Sequence, residues 1–199
     1  MKQHTHSARR GSWRKLLKGS GAVLLVAVLG VGGYYGTMRW QGNFHTTIPG
    51  ELYRSAQPTP SQIAFYKKTY GIKTIINLRG ENTGTGWYDK EVLAARDLGV
   101  KHVDFRMSSR EILSQDDAAA LLAVMKQAEK PVLIHCEGGA DRTGLAAALY
   151  IAAIAHGGEE HAESQFSPLF GHFSVWGNPA YAMDITFEKL EPWLGFPDS

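Results

Sequence analysis

Pro131-Val132-Leu133-Ile134-His135-Cys136-Glu137-Gly138-Gly139-Ala140-Asp141-Arg142-Thr143-Gly144 is the stretch on which the reading of this chain turns. Its first five residues form an apolar, β-branched run and predict a buried strand. A short glycine-rich loop follows, and the alanine- and leucine-rich run Arg142–His156 then predicts a buried helix. The loop is short enough to curl round one tetrahedral anion. Gly138 and Gly139 let its N–H groups turn inward without a Cβ in the way. The helix N-terminus adds partial positive charge at the same point. The backbone of Glu137, Gly138, Gly139, Ala140, Asp141 and Arg142 is thus a candidate phosphate cradle, with Cys136 at its bottom. Such surroundings are expected to lower a thiol from its free pKa of about 8.5 and leave a thiolate. Arg142 sits at the other lip, where its planar fork can hold two phosphoryl oxygens. The reaction this arrangement predicts is thiolate attack on a phosphate monoester, a phosphocysteine intermediate, then hydrolysis. Thr143 is placed to donate a hydrogen bond to the sulfur, and His135 to orient the cysteine backbone. A lone cysteine after an apolar strand is commonly just a small buried hydrophobe; the polar, glycine-rich surroundings favour a nucleophile here.

Outward from the loop, strands alternate with helices. Thr59 or Ser61 can cap a helix that ends at Gly71. Ile72–Leu78 predicts a buried strand, Trp87–Leu98 a helix stopped by Gly99, and Val100–Phe105 a second strand. Ser114, followed by Gln115, Asp116 and Asp117, predicts a helix start with acids in its first turn. Helical patches at Glu159–Gln165 and Met183–Leu194 complete the chain. The expected fold is α/β, a central, mostly parallel sheet flanked by helices, over residues 51–199. Residues 39–50, with a Pro49-Gly50 turn, read as a linker.

Composition separates the two ends. Residues 1–18 hold six of the 21 basic residues and no acid. The remaining 15 basic and all 19 acidic residues lie downstream, a net charge of −4 that gives no reason to expect nucleic-acid binding. Residues 19–38 are 20 uncharged, mostly apolar residues, about the length needed to cross a bilayer. They predict one transmembrane signal-anchor, with the basic residues 1–18 kept in the cytoplasm and the domain beyond the inner membrane, in a periplasm. A cleaved signal peptide and secretion is the alternative; no clear Ala-x-Ala site follows the apolar run. The single cysteine excludes an internal disulfide and any cysteine-cluster metal site. His161 and His172 show no metal-ligand spacing. Arg54 and Arg79 read equally as pocket rim or structural pairing. The tryptophans, with Phe166, Phe170 and Phe173, read as packing. No feature sets an oligomeric state.

His135-Cys136, Arg142-Thr143-Gly144 and the loop between them resemble the signature of the protein tyrosine phosphatase superfamily, in its compact dual-specificity-like branch. Leu52-Tyr53-Arg54-Ser55-Ala56-Gln57-Pro58 and Ile76-Asn77-Leu78-Arg79 resemble stretches of its small bacterial and fungal members. The resemblance implies cysteine catalysis without metal or other cofactor, acting on phosphorylated protein or a small phosphate monoester. It also implies an aspartate general acid in the loop after Val100–Phe105. Met107-Ser108-Ser109-Arg110-Glu111 stands there instead. Some bacterial relatives carry an Asp-Arg pair in the phosphate loop, so Asp141 is the first candidate acid and Glu111 the second, ahead of Asp104 and Asp116. Asp141 could equally be a carboxylate that braces the loop. The loop has no lysine, and Glu137 and Asp141 would repel clustered phosphates, so phosphotyrosine or another simple monoester is the expected substrate. A phosphate-binding pseudo-phosphatase and a sulfurtransferase are the competing readings.

Overall fold

The computed structural model describes residues 25–197. These residues divide into two compact units, 25–40 and 41–197. In the first, residues 25–40 form helix α1, whose Leu25, Val26, Val28 and Leu29 are exposed. The expected span 19–38 begins outside the described residues. Among the described residues, no helix is long and apolar enough to cross a membrane.

The second unit is an α/β domain. Five strands, β1 His45–Ile48, β2 Leu52–Ser55, β3 Thr74–Asn77, β4 Lys101–Asp104 and β5 Val132–His135, lie in the order β1-β2-β5-β3-β4. Only β1 is antiparallel to its neighbour; β2, β5, β3 and β4 run parallel. β5 is central and fully buried, as expected of an apolar run in a sheet covered on both faces. Side chains on a strand alternate between faces. Val132 and Ile134 therefore join the core with α4 Gln115–Gln127, α5 Asp141–Ala153 and α7 Ala182–Leu194. Leu133 joins the opposite core with α2 Pro60–Tyr70 and α3 Gly86–Asp97. The same alternation sends His135 toward α3 and Cys136 toward α5.

Local chemistry explains the boundaries. Thr59 caps α2 in a full capping box with Gln62, Pro60 opens the helix, and Gly71 closes it in the left-handed conformation. Ser114 caps α4 by accepting from the Asp117 N–H. In α5 every residue from Thr143 to Ala152 is buried. Ala146, Ala147, Ala148 and Ala152 let this helix press against its neighbours on all sides; large side chains there would overpack the core.

The expected linker 39–50 is largely part of the domain. His45–Ile48 forms the edge strand, and Pro49-Gly50 is the turn of the β1–β2 hairpin. Gly50 has φ +76°, and the Glu51 N–H donates to the Ile48 carbonyl at 3.1 Å. Neither strand announced itself, because β1 is only partly buried and β2 places Arg54 and Ser55 in the interior.

Candidate active site

Cys136 follows the last residue of β5, and Asp141 opens α5, so Cys136–Ala140 makes the whole turn. Each carbonyl of this turn has a partner. The Gln57 N–H donates to Glu137 at 3.2 Å. Asn43 Nδ2 donates to Gly138 at 2.9 Å. Arg54 Nη2 donates to Gly139 at 3.0 Å and to Ala140 at 3.2 Å. The Cys136 carbonyl lies 3.3 Å from His135 Nδ1. A backbone whose carbonyls are all held by surrounding protein turns its N–H groups the other way, into the loop. The Gly139 N–H points at Cys136 Sγ, 3.2 Å away. Among the described residues, the N–H groups of Glu137, Gly138 and Ala140 donate to no protein atom. The two glycines are not equivalent. Gly139 has φ +71°, and a Cβ there would meet Ala56 N at 2.5 Å and Ser55 C at 2.6 Å, whereas a Cβ on Gly138 would meet nothing. Gly139 is demanded both by conformation and by the close approach of β2.

Arg54 settles on the structural side of its two readings. Its guanidinium is fully buried beneath the loop. It also donates to Gln165 and stacks 4.2 Å from the Phe170 ring centre. Burial pushes its pKa down to about 10, against the opposing charges of Cys136 and Asp141. Arg79 is different. It is half-buried, stacked 3.6 Å over Trp87 and bonded to Gln57 at 2.9 Å. Burial lowers its pKa first, Glu137 and Cys136 raise it, and Arg142 lowers it by like charge. It therefore stands with Arg142 as a second cation beside the loop.

Arg142 occupies the second position of α5. Its Nε is buried and has no hydrogen-bond partner. A guanidinium nitrogen withheld from both water and protein carries a desolvation cost, which an anion in the loop would relieve. Thr143 Oγ1 is also buried and without a partner, so the expected bond from Thr143 to the sulfur is not made.

Two histidines flank the loop on opposite faces of the sheet. His135 Nε2 donates to Glu91 Oε1 at 2.7 Å. The same carboxylate accepts from His102 at 2.9 Å and from Gln57. Burial pushes Glu91 up, but these hydrogen bonds outweigh it and hold its pKa at about 2. On the other face, His172 Nδ1 donates to Asp141 Oδ1 at 2.8 Å, and His172 Nε2 to Asp184 Oδ2 at 2.9 Å. Ser174 donates to the second Asp184 oxygen at 2.5 Å. Burial pushes His172 down, but the hydrogen bond to Asp141 and the charge of Asp184 prevail and raise its pKa above 6.5.

Of the candidate acids, Asp141 alone lies in the loop. Glu111 is exposed on the β4–α4 connection and makes no hydrogen bond among the described residues. Asp104 is engaged by Asn77 at 2.8 Å and Tyr88 at 2.6 Å. Asp116 is exposed in the first turn of α4, beside Asp117, which is tied to Ser114. The tryptophans do not all pack: Trp176 is 89% exposed. Asn43, Glu91 and Asp184 escaped the sequence reading, which weighed His172 only as a metal ligand. Nothing in their spacing links them to the loop; Glu91 lies 44 residues and His172 31 residues from the groups they bind.

Residues 42–172 match the family described as PTP-SAK, Swiss Army Knife protein, DSP-PTPase phosphatase domain. The chain belongs to this phosphatase family. It is 33% identical over 101 residues to the dual specificity protein phosphatase TpbA of Pseudomonas aeruginosa, a match covering 50% of this chain and 42% of that protein. The match thus spans less than half of the relative's length. The crystal structure of TpbA superposes with a TM-score of 0.58 at 22% identity, covering 77% of this chain and 91% of that one. The catalytic core of the PP-IP phosphatase SIW14 from S. cerevisiae superposes with a TM-score of 0.51 at 21% identity, covering 77% and 93%. Both share the fold.

Proposed function

We propose that this chain hydrolyses phosphate monoesters through a phosphocysteine intermediate, with phosphotyrosine or a mixed phosphoprotein specificity. One observation carries the reading: every carbonyl from Cys136 to Ala140 is drawn outward, which leaves N–H groups for an anion above the sulfur. In the first step Cys136 Sγ bonds phosphorus while the ester oxygen departs. The loop N–H groups and Arg142 hold the equatorial oxygens as charge develops on them. In the second step water displaces the sulfur and phosphate leaves. Asp141 gives the departing oxygen its proton and then takes one from water. A cysteine-to-serine variant of TpbA has been crystallised with phosphotyrosine; the lysine-free loop of the present chain, with Glu137 and Asp141 in it, suits such a simple monoester.

The test uses full-length protein in mild detergent, with p-nitrophenyl phosphate and thiosulfate as alternative substrates. Phosphate release that vanishes in Cys136→Ser is the expected result. Sulfur transfer, or anion binding without turnover, overturns the reading. For location, we propose that residues 19–38 anchor the chain in the inner membrane with the catalytic domain in the periplasm, retained rather than secreted. The basic residues before the apolar run support this orientation. Protease added to spheroplasts should digest the catalytic domain; protection of that domain would reverse the topology.

A further inference from the structure

The segment between α6 Glu159–Glu163 and α7 is held against the catalytic loop at several points. Phe170 stacks on Arg54, and its carbonyl accepts from Asn43 at 2.8 Å. His172, wholly buried, reaches Asp141. The last contact is the one with a chemical consequence. Asp141 is the only loop side chain with a carboxylate that is joined to a buried titratable group beyond the loop. One of its oxygens, Oδ1, is taken by His172 Nδ1. The other has no protein partner among the described residues, and the side chain is 34% exposed. His172 cannot swing away, because Nε2 is tied to Asp184, and Asp184 is tied in turn to Ser174. Both ring nitrogens face carboxylate oxygens, so both carry protons and the ring is an imidazolium.

We infer that His172, oriented by Asp184, is a positioning residue that holds Oδ1 of Asp141 and so presents Oδ2 to the reacting phosphoryl group. This rests on the phosphatase reading above. The proton balance defines what His172 does. In the first step the proton on Asp141 Oδ2 goes to the departing ester oxygen as the S–P bond forms and the P–O bond breaks. In the second, Asp141 Oδ2 takes a proton from water as the new P–O bond forms and the S–P bond breaks. Asp141 ends as it began, so His172 supplies no net proton. Its contribution is geometric and electrostatic, and the electrostatic part favours the second step, where Asp141 must act as a carboxylate. The groups facing His172 are Asp141 on α5, Asp184 on α7 and the ring of Phe166, 5.4 Å away. Arg54 is coupled to Asp141, and Glu163 and Glu188 line the polar cleft onto which Asp184 opens.

Two substitutions divide the ring's functions. H172N keeps a donor near the Nδ1 position, and H172Q keeps one near Nε2. D184N leaves His172 in place and weakens its orientation. Each full-length variant is measured with p-nitrophenyl phosphate by steady-state pH profiles and by the pre-steady-state burst of p-nitrophenol. H172Q should lower kcat by about 100-fold, the lower end of a displaced general acid–base contribution, with KM little changed and a burst that grows as hydrolysis of the intermediate slows. H172N should retain more activity than H172Q. D184N should move the pH profile and the burst in the same direction by a smaller factor, and it carries the test if H172Q does not fold. Active wild-type protein whose folded H172Q and D184N variants keep the wild-type burst and pH profile overturns this inference alone. Wild-type protein that releases no phosphate overturns the phosphatase reading and this inference with it.

Discussion

The two buried histidines beside the loop are opposites in composition. On the α3 side one carboxylate, Glu91, collects hydrogen bonds from His135, His102 and Gln57. On the α7 side one imidazole, His172, is shared by two carboxylates. The donors around Glu91 hold its charge across the whole ordinary pH range, so that cluster is a fixed brace behind the cysteine. The acceptors around His172 hold a group whose ordinary titration lies near neutrality. The first cluster fixes the strand end from which Cys136 hangs, and the second reaches the carboxylate proposed to move protons. Rigid support and adjustable chemistry are thus assigned to different faces of the sheet.

The largest effect should come from breaking the α3 cluster. Glu91→Ala strands His135, His102 and Gln57 without their acceptor, and removing one partner of a buried charged network costs about 3–5 kcal/mol; urea unfolding of the variant measures it. Next in size is acid. Glu91 falls from an ordinary 4.5 to about 2 in the folded protein. A depressed carboxylate contributes stability above its unfolded pKa and loses it as pH falls through the folded one. Between pH 4.5 and 2 the domain should therefore lose on the order of 3 kcal/mol through this group alone. Glu91→Gln should remove that part of the slope, read as the melting temperature against pH.

The α7 cluster has the opposite sign. Its histidine is raised above 6.5, so its stabilisation is complete below that pH and is lost as pH rises through the folded value. A melting-temperature profile of H172N should lack the decline that the wild type shows on the alkaline side of 6.5. Equal slopes in the two proteins would mean that His172 is not charged in the fold. The smallest effect belongs to Ser174→Ala. It removes one hydrogen bond to Asp184, worth about 1 kcal/mol, and should leave the Glu91-dependent acid limb untouched.

Much of this was readable in the chain as a string. The α2 helix follows from Thr59, Pro60, Gln62 and Gly71, four residues whose roles are local. β5 and α5 follow from an unbroken apolar run, a glycine-bearing turn and a run rich in alanine and leucine. Cys136, Gly139 and Arg142 fall within seven consecutive residues that span the turn and the start of α5, so their spacing is legible in the sequence alone. β1 and β2 were not readable in the same way. A polar edge strand shows little hydrophobic alternation, and Arg54 in the interior makes sense only once the carbonyls of Gly139 and Ala140 are seen above it. The tie between Thr143 and the sulfur, plausible from sequence, does not form.

By itself the sequence determined an α/β domain with a cysteine–arginine loop between a central strand and a buried helix, because strand, loop and helix are contiguous and each is specified by short-range patterns. Only the tertiary structure decided what holds that loop: Asn43, Arg54 and Gln57 on its carbonyls, Glu91 behind His135, and His172 on Asp141. These groups converge from a strand, a helix and three loops far apart in the chain. A buried hydrogen bond has no periodicity in sequence, and its partners become neighbours only after the sheet has ordered itself with β5 at its centre.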